Sequence, residues 1–300
     1  MARKRDVVIA VIIAVSFFVA MGFVALVFIG VLSGESDLGF ASMGGDVGVI
    51  ELFGVIDEAS GREAIEQIDR WADHDAIKAL VIHINSPGGG VAITQEIYDA
   101  VLRAREQKPV VGAMASIAAS GGYYVACACD LIVANPGTLT GSIGVIFQYY
   151  TAEDLMKRIG VRQETVKAGQ VKDVGSWSHD MNESEESMLQ AAVNDTYAQF
   201  VEVVAEARNM DQDLVRTYAD GSIYTGSQAH MSGLIDTLGG LNEAVRIAAD
   251  MAGLEGDPEI VRPFERKRVS VWDLLGNVLG GIDQRIQGGL DGPKLMYLYR

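Results

Sequence analysis

Histidine and cysteine are scarce in this 300-residue chain, with four of the first and two of the second. His74, His83, His179 and His230 are scattered, and together with two cysteines they make no metal-ligand spacing. No metal and no cofactor is therefore expected. Cys127 and Cys129 lie two apart in an apolar segment. On a helix they would point to different sides, which argues against a mutual disulfide and for two small buried residues. No GxxxxGK loop is present, so nothing points to ATP. Basic residues are also short: 24 Lys and Arg stand against 40 Asp and Glu, a formal net charge of −16. Binding phosphate backbones needs basic patches, so nucleic-acid partners are not expected. No internal repeat of roughly 20–50 residues is found.

Apolar residues are plentiful at 49% and partly concentrated at the N-terminus. Residues 7–32 are almost uninterruptedly apolar, with Ser16 the only hydroxyl. Roughly 20 such residues cross a bilayer, and the stretch is too long for the apolar region of a cleaved signal peptide. It predicts an uncleaved transmembrane helix that meets membrane lipid through 7–32. Arg3, Lys4 and Arg5 precede it. By the positive-inside rule the N-terminus is cytoplasmic, and the chain after about Ser33 is extracytoplasmic. The expected organisation is a basic tip and anchor over 1–33, a linker over 34–46, a catalytic domain over 47–255, and an amphipathic segment with a tail over 256–300.

Within 47–255, strand-like and helix-like patterns alternate. Strands are predicted at 47–56, 77–84, 110–115, 131–134, 143–149 and 161–166. Helices are predicted at 60–72, opened by a capping box from Ser60 to Glu63, then at 91–105, after Ser120, and at 152–159. A long helical pattern runs from 183 to 209, and shorter ones follow near 211–218, 227–232 and 241–252. This alternation predicts an α/β domain with largely parallel strands. Right-handed crossovers put the turns after successive strands at one C-terminal sheet edge.

Two of those turns carry chemistry. NSPGGG spans 85–90, and ASGG spans 119–122. Either alone is a common turn. Together they offer a nucleophile, Ser120, and free backbone N–H groups to hold an oxyanion, as acyl transfer requires. A base is also needed. The histidines read as structural or surface residues. Lysine is a known substitute when neutral, and KAGQVKDVGS (167–176) offers both Lys167 and Lys172.

AASGGYY (118–124), with NSPGGG upstream and TLTGSIGV (138–145) and KAGQVKD downstream, resembles the signal peptide peptidase A family in its short, single-repeat form. The resemblance covers roughly residues 47–253 plus the membrane anchor. It implies that Ser120 is the nucleophile and Lys172, 52 positions later, the general base. Ser142 would orient the lysine amine, and Gly89 and Gly121 would supply the oxyanion donors. The implied fold is the ββα superhelix of the crotonase and Clp-protease superfamily, with no cofactor and with subunits closed into homo-oligomeric rings. The implied substrates are apolar peptides such as remnant signal peptides. A lysine base starts from a pKa of about 10.4, and lowering it by roughly 3 units disfavours the charged form by about 4 kcal/mol. Burial against apolar atoms would do this.

Related families fit less well. The Clp protease subunit has its histidine about 25 residues after the serine, and here that point, near Val145, holds none. A crotonase would lack the serine–lysine pair. Stomatin-associated membrane proteases share the dyad, but TGSIGV and YTGSQAHMSGLID (224–236) fit signal peptide peptidase A better. A catalytically silent scaffold of the same fold is the third reading. The apolar tail, 295–299, is expected either to pack on the domain or to lie in the substrate groove like a cleaved product.

Overall fold

The β-branched runs of the sequence become strands whose C-terminal ends share one edge of a sheet. The computed structural model describes residues 46–262, Met21 and the main chain of 295–298. From the N-terminal side come β1 (Val47–Phe53), α1 (Glu58–Ala72), β2 (Ala79–Ser86), β3 (Gly88–Gly90) and α2 (Val91–Arg105). Next are β4 (Val110–Ala119), α3 (Gly121–Ala126), β5 (Leu131–Ala134), β6 (Leu139–Gly141), β7 (Ile146–Phe147) and α4 (Glu153–Ile159). The last group is α5 (Glu183–Arg208), α6 (Gln212–Tyr218), β8 (Ile223–Thr225), α7 (Gly226–Met231), β9 (Thr237–Leu238), α8 (Leu241–Met251), β10 (Ile260–Val261) and β11 (Leu295–Leu298). The anchor expected at 7–32 and the amphipathic pattern after Pro263 lie outside the described residues. Among the described residues, no helix is long and apolar enough to cross a membrane.

The main path of the sheet runs β10-β1-β2-β4-β5-β9, and every pairing along it is parallel. The long strand β4 changes partner along its length. Val111 to Met114 pair with β5, and Ile117 to Ala119 pair with β6. Antiparallel β8 then pairs with β6, making the sheet mixed. One face buries Val49, Val81, Val111, Ala113 and Val133 against Ala244, Val245 and Ala248 of α8. On the other face Trp71 of α1 lies over Gly48. A Cβ on that glycine would stand 2.3 Å from the indole.

Helix α5 is buried mainly through its C-terminal half, by Phe200, Val201, Val204 and Ala205. Phe200 meets Tyr124 of α3 with ring centroids 5.1 Å apart, and Tyr124 meets Tyr98 of α2 at 5.2 Å. The same helix ends in a fork. Arg208 donates to both carboxylate oxygens of Asp236, at 2.9 and 2.6 Å, and to the Gly233 carbonyl at 2.9 Å. Asp236 in turn accepts from the Ile132 N–H at 2.7 Å, so this ion pair fastens α5 to β5.

Three local expectations need correction. Helix α1 opens at Asp57, whose side chain accepts from the Ser60 N–H while the Ser60 hydroxyl accepts from the Asp57 N–H. Ser60 is thus the third residue of the capping box, with Asp57 winning because its carboxylate is the stronger acceptor. No strand forms at 161–166. Val161 and Val166 are exposed there, and the four residues between them are polar, so the segment has no apolar face to bury in a sheet. The strand expected at 143–149 shrinks to Ile146–Phe147, and β6 forms just before it.

Candidate active site

Because β2 and β4 are parallel neighbours, with Ser86 opposite Ala118, the two glycine turns open side by side. The first is held in shape from three directions. The Gly88 N–H donates to Ser86 Oγ at 3.0 Å. The Ile56 N–H donates to the Gly88 carbonyl, and the Gly90 N–H to the Ile56 carbonyl, both at 2.9 Å. Asn85 Oδ1 accepts from the Ile117 N–H at 3.3 Å, linking the turn to β4. Gly89 is pressed so closely on Ile56 that a Cβ would lie 2.0 Å from its carbonyl oxygen. Ile56 and Thr94 were not singled out in the sequence, because an isolated isoleucine and a helical threonine carry no motif. Thr94 Oγ1 donates to the Gly90 carbonyl at 2.7 Å and lies over Gly121.

Ser120 closes β4 and caps α3. Its φ of 52° and ψ of −116° lie in a region that costs a non-glycine residue about 1–3 kcal/mol. The surroundings hold it there. Its N–H donates to the Gly141 carbonyl at 2.8 Å, and its carbonyl accepts from the Tyr124 N–H at 2.9 Å. Such a sharp strand-to-helix turn is how hydrolase nucleophiles are presented. The residue is 1% exposed, and among the described residues Oγ has no hydrogen-bond partner. The next residue, Gly121, begins α3, where N–H groups lack intrahelical acceptors. A Cβ on Gly121 would stand 3.2 Å from the Gly89 nitrogen. The two expected oxyanion donors therefore lie close together, next to Ser120.

Ser142 follows the carbonyl that receives the Ser120 N–H, so the fold brings these two serines to adjacent strand ends. It too has a positive φ, 49°, and its N–H donates to the Ser222 carbonyl at 2.7 Å. Lys172 is different. It sits exposed in a turn whose only described tie at this residue is its own N–H to the Gly169 carbonyl, at 3.2 Å. Among the described residues, its ammonium has no recorded hydrogen bond or ion pair. Lys167 is bound to the Asp173 carboxylate and holds that carboxyl below the usual range. The fold thus brings Ser120, Gly89, Gly121 and Ser142 together, and Lys172 is exposed on its own turn.

Other nucleophiles and bases are set aside by burial or position. Cys127 and Cys129 are free and buried. Burial pushes the Cys127 thiol up to about 12 and raises Cys129 as well, which makes both poor nucleophiles. His83 packs edge-on against Phe53, and burial lowers its pKa. No histidine accepts from Ser120 Oγ.

Comparison with known proteins agrees with this geometry. The sequence profile described as Peptidase family S49 matches residues 103–255. A protein named as a protease in Synechocystis sp. is 42% identical over 228 residues, covering 76% of this chain and 82% of that one. The chain belongs to Peptidase family S49. This S49 protease is of the signal peptide peptidase A type. It is 33% identical over 234 residues to the chloroplastic serine protease SPPA of Arabidopsis thaliana, covering 76% of this chain and 35% of that protein. Protease 4 of Salmonella typhi is 34% identical over 266 residues, covering 84% of this chain and 42% of the other. The chain therefore spans well under half the length of these two relatives. A Clp protease profile matches 42–132, in keeping with the Clp-protease-like α/β arrangement of β1 to β5.

The packing of the S49 glycine turn gives a direct prediction. Gly89→Ala drives a Cβ into a backbone carbonyl, which cannot rotate away. Alanine keeps the N–H but the clash must displace it; misplacing one expected oxyanion donor costs about 10²–10³ in kcat, so turnover of a peptide ester should fall on that order. Thermal unfolding measured beside it should show a lower midpoint.

Proposed function

We propose that this chain is a membrane-anchored serine endopeptidase that cuts extended apolar peptides, remnant signal peptides among them, with a Ser120–Lys172 dyad. The observation that carries this reading is the state of Ser120. It is a buried, unpartnered hydroxyl on a strained elbow, next to two glycine N–H groups, and a purely structural serine has no reason to be held that way. In the proposed reaction Lys172 Nζ, neutral, takes the Ser120 Oγ proton as the oxygen attacks the peptide carbonyl. The N–H groups of Gly89 and Gly121 receive the oxyanion. Lys172 then gives the proton to the leaving amine, and water releases the acyl group from Ser120. Ser142 orients the amine without restoring its charge.

Two features support a shared site in a ring of subunits. Lys172 is exposed, whereas a lysine base needs apolar cover. The segment around it also exposes Tyr150, Leu155, Ile159, Val161 and Trp177, an unusual run for a surface left in water. A neighbouring copy would bury both and bring a lysine to each serine. The anchor at 7–32 would hold such a ring on the outer face of the cell membrane, with the N-terminus cytoplasmic.

The pairing of the chain's own tail supports an extended substrate beside the glycine turn. The main chain of β11 runs antiparallel to β3, with Met296, Tyr297 and Leu298 opposite Gly90, Gly89 and Gly88. On its other side, Leu295 and Met296 lie opposite Phe147 and Ile146 of β7. A peptide substrate would add in the same way, its main chain paired on both sides. Deleting 294–300 should then lower the apparent KM for short peptides several-fold at unchanged kcat. An unchanged KM would remove the tail from the groove in solution.

The decisive experiment is labelling of the full chain with a fluorophosphonate probe. Modification at Ser120, abolished in Ser120→Ala, is expected. A protein that does not react is a silent scaffold.

A further inference from the structure

The turn that carries Lys172 is joined to the start of α5 by three side chains that peptide cleavage does not use. Asp173, His179 and Glu185 follow each other at intervals of six residues. One carboxylate oxygen from each acid and one ring nitrogen of the histidine lie within 4.8 Å of one another. Glu185 is only 1% exposed, although the helix turns around it face solvent. One of its oxygens, Oε2, accepts from the Asn182 N–H at 3.1 Å and completes the capping box of α5. The other, Oε1, is buried with no hydrogen-bond partner among the described residues. A carboxylate oxygen withdrawn from water without a donor or cation is costly, and native folds rarely leave one.

His179 points to what is missing. Its Nδ1 lies 2.9 Å from the Asp180 carbonyl oxygen, a contact that requires Nδ1 to carry hydrogen. Nε2 is thereby turned toward the acids. It is buried, has no hydrogen-bond partner, and stands 3.4 Å from Asp173 Oδ2. A ring fixed through one nitrogen by a carbonyl, with the other facing carboxylates, is the usual posture of a metal-binding histidine. Asp173 is also prepared. Lys167 holds its Oδ1 and leaves Oδ2 facing the histidine.

We propose that Asp173, His179 and Glu185 bind one divalent transition-metal ion, zinc before others, which staples the Lys172 turn to α5. One imidazole and two carboxylates suit zinc, whereas calcium prefers oxygen alone. Zinc bonds of about 2.0–2.2 Å set tetrahedral ligand atoms roughly 3.4 Å apart. The three side chains close that gap by small torsional changes, and water takes the fourth position. Lys172 immediately precedes Asp173, so the ion would fix the main chain beside the dyad's base. That consequence rests on Lys172 acting as the base; the binding site does not. The metal would be structural and take no part in the chemical step.

The test is titration of the detergent-solubilised full chain, stripped with EDTA, with zinc chloride in a calorimeter near neutral pH. One ion per chain with Kd on the order of 1 µM is expected. His179→Ala and Glu185→Gln should each weaken it at least as much as the roughly 10–100-fold that loss of an outer-shell partner costs. Glutamine still serves a capping box, so the second variant keeps α5 closed while removing the ligand charge. Cobalt(II) should give a visible tetrahedral absorption in the parent protein and none in either variant. Absence of binding at millimolar zinc, or binding unchanged in both folded variants, overturns the proposal and leaves a protonated His179 bridging the acids. Fluorophosphonate labelling of Ser120, run in parallel, reports on the dyad separately.

Discussion

Ser120→Ala and Lys172→Ala should each lower kcat on a peptide ester by about 10⁴–10⁶-fold, and the double variant should be little worse than either. Nucleophile and base act as one unit, so once one is gone the other has nothing left to contribute. Lys167→Ala should keep most of the activity, because the Lys167 ammonium is already occupied by Asp173. Steady-state rates of the four proteins, with unfolding midpoints as a control for folding, make the comparison. Activity in Lys172→Ala together with loss in Lys167→Ala would assign the base to the wrong lysine. The residual rate in Ser120→Ala is also informative. The N–H groups of Gly89 and Gly121, the proposed oxyanion donors, survive that substitution, so a small acceleration over water is expected from them alone.

Mixing the two inactive proteins should restore activity. Ser120→Ala subunits retain Lys172, and Lys172→Ala subunits retain Ser120. If each site takes its serine from one subunit and its lysine from the next, a random equimolar ring regains about one quarter of parental turnover. Half of the subunits carry the serine, and half of their neighbours on the correct side carry the lysine. The expectation follows from two observations. Ser120 Oγ has no hydrogen-bond partner among the described residues, and Lys172 stands exposed in a separate turn. Subunit exchange, followed by fluorescence transfer between labelled chains, must be complete before the assay. No recovery after full exchange places both residues of the dyad in one chain.

Much of this architecture was legible along the chain, and the reasons are local. Val47–Phe53 and Ala79–Ser86 are apolar runs rich in valine, isoleucine and leucine, and they pair as parallel neighbours. The Glu183–Arg208 helix declares itself through the long helical pattern read over 183–209, and the structure adds the capping box of Asn182 and Glu185 that opens it. The 161–166 segment misled because a valine at each end does not make a strand. A strand also needs an edge to pair with, and that is a property of the whole sheet. The tail was ambiguous for the same reason. Its composition was compatible with packing anywhere, whereas its pairing with Gly88–Gly90 and Ile146–Phe147 depends on two strands far away in sequence.

The sequence by itself determined the chemistry on offer. It supplied a serine at a glycine-flanked turn, a second glycine turn, two lysines in place of a histidine, and the family to which such motifs belong. These signals are contiguous, because turns and helix starts are set by residues a few positions apart. Only the tertiary structure decided how they meet. Parallel pairing of β2 with β4 placed Gly89 beside Gly121, and pairing of β4 with β6 drew Ser142 to the end of the strand that bears Ser120. The same folding left Lys172 exposed and gathered Asp173, His179 and Glu185 from a turn, a loop and a helix. Contacts of this kind depend on the path of the backbone through space, and no short-range pattern of residues encodes that path.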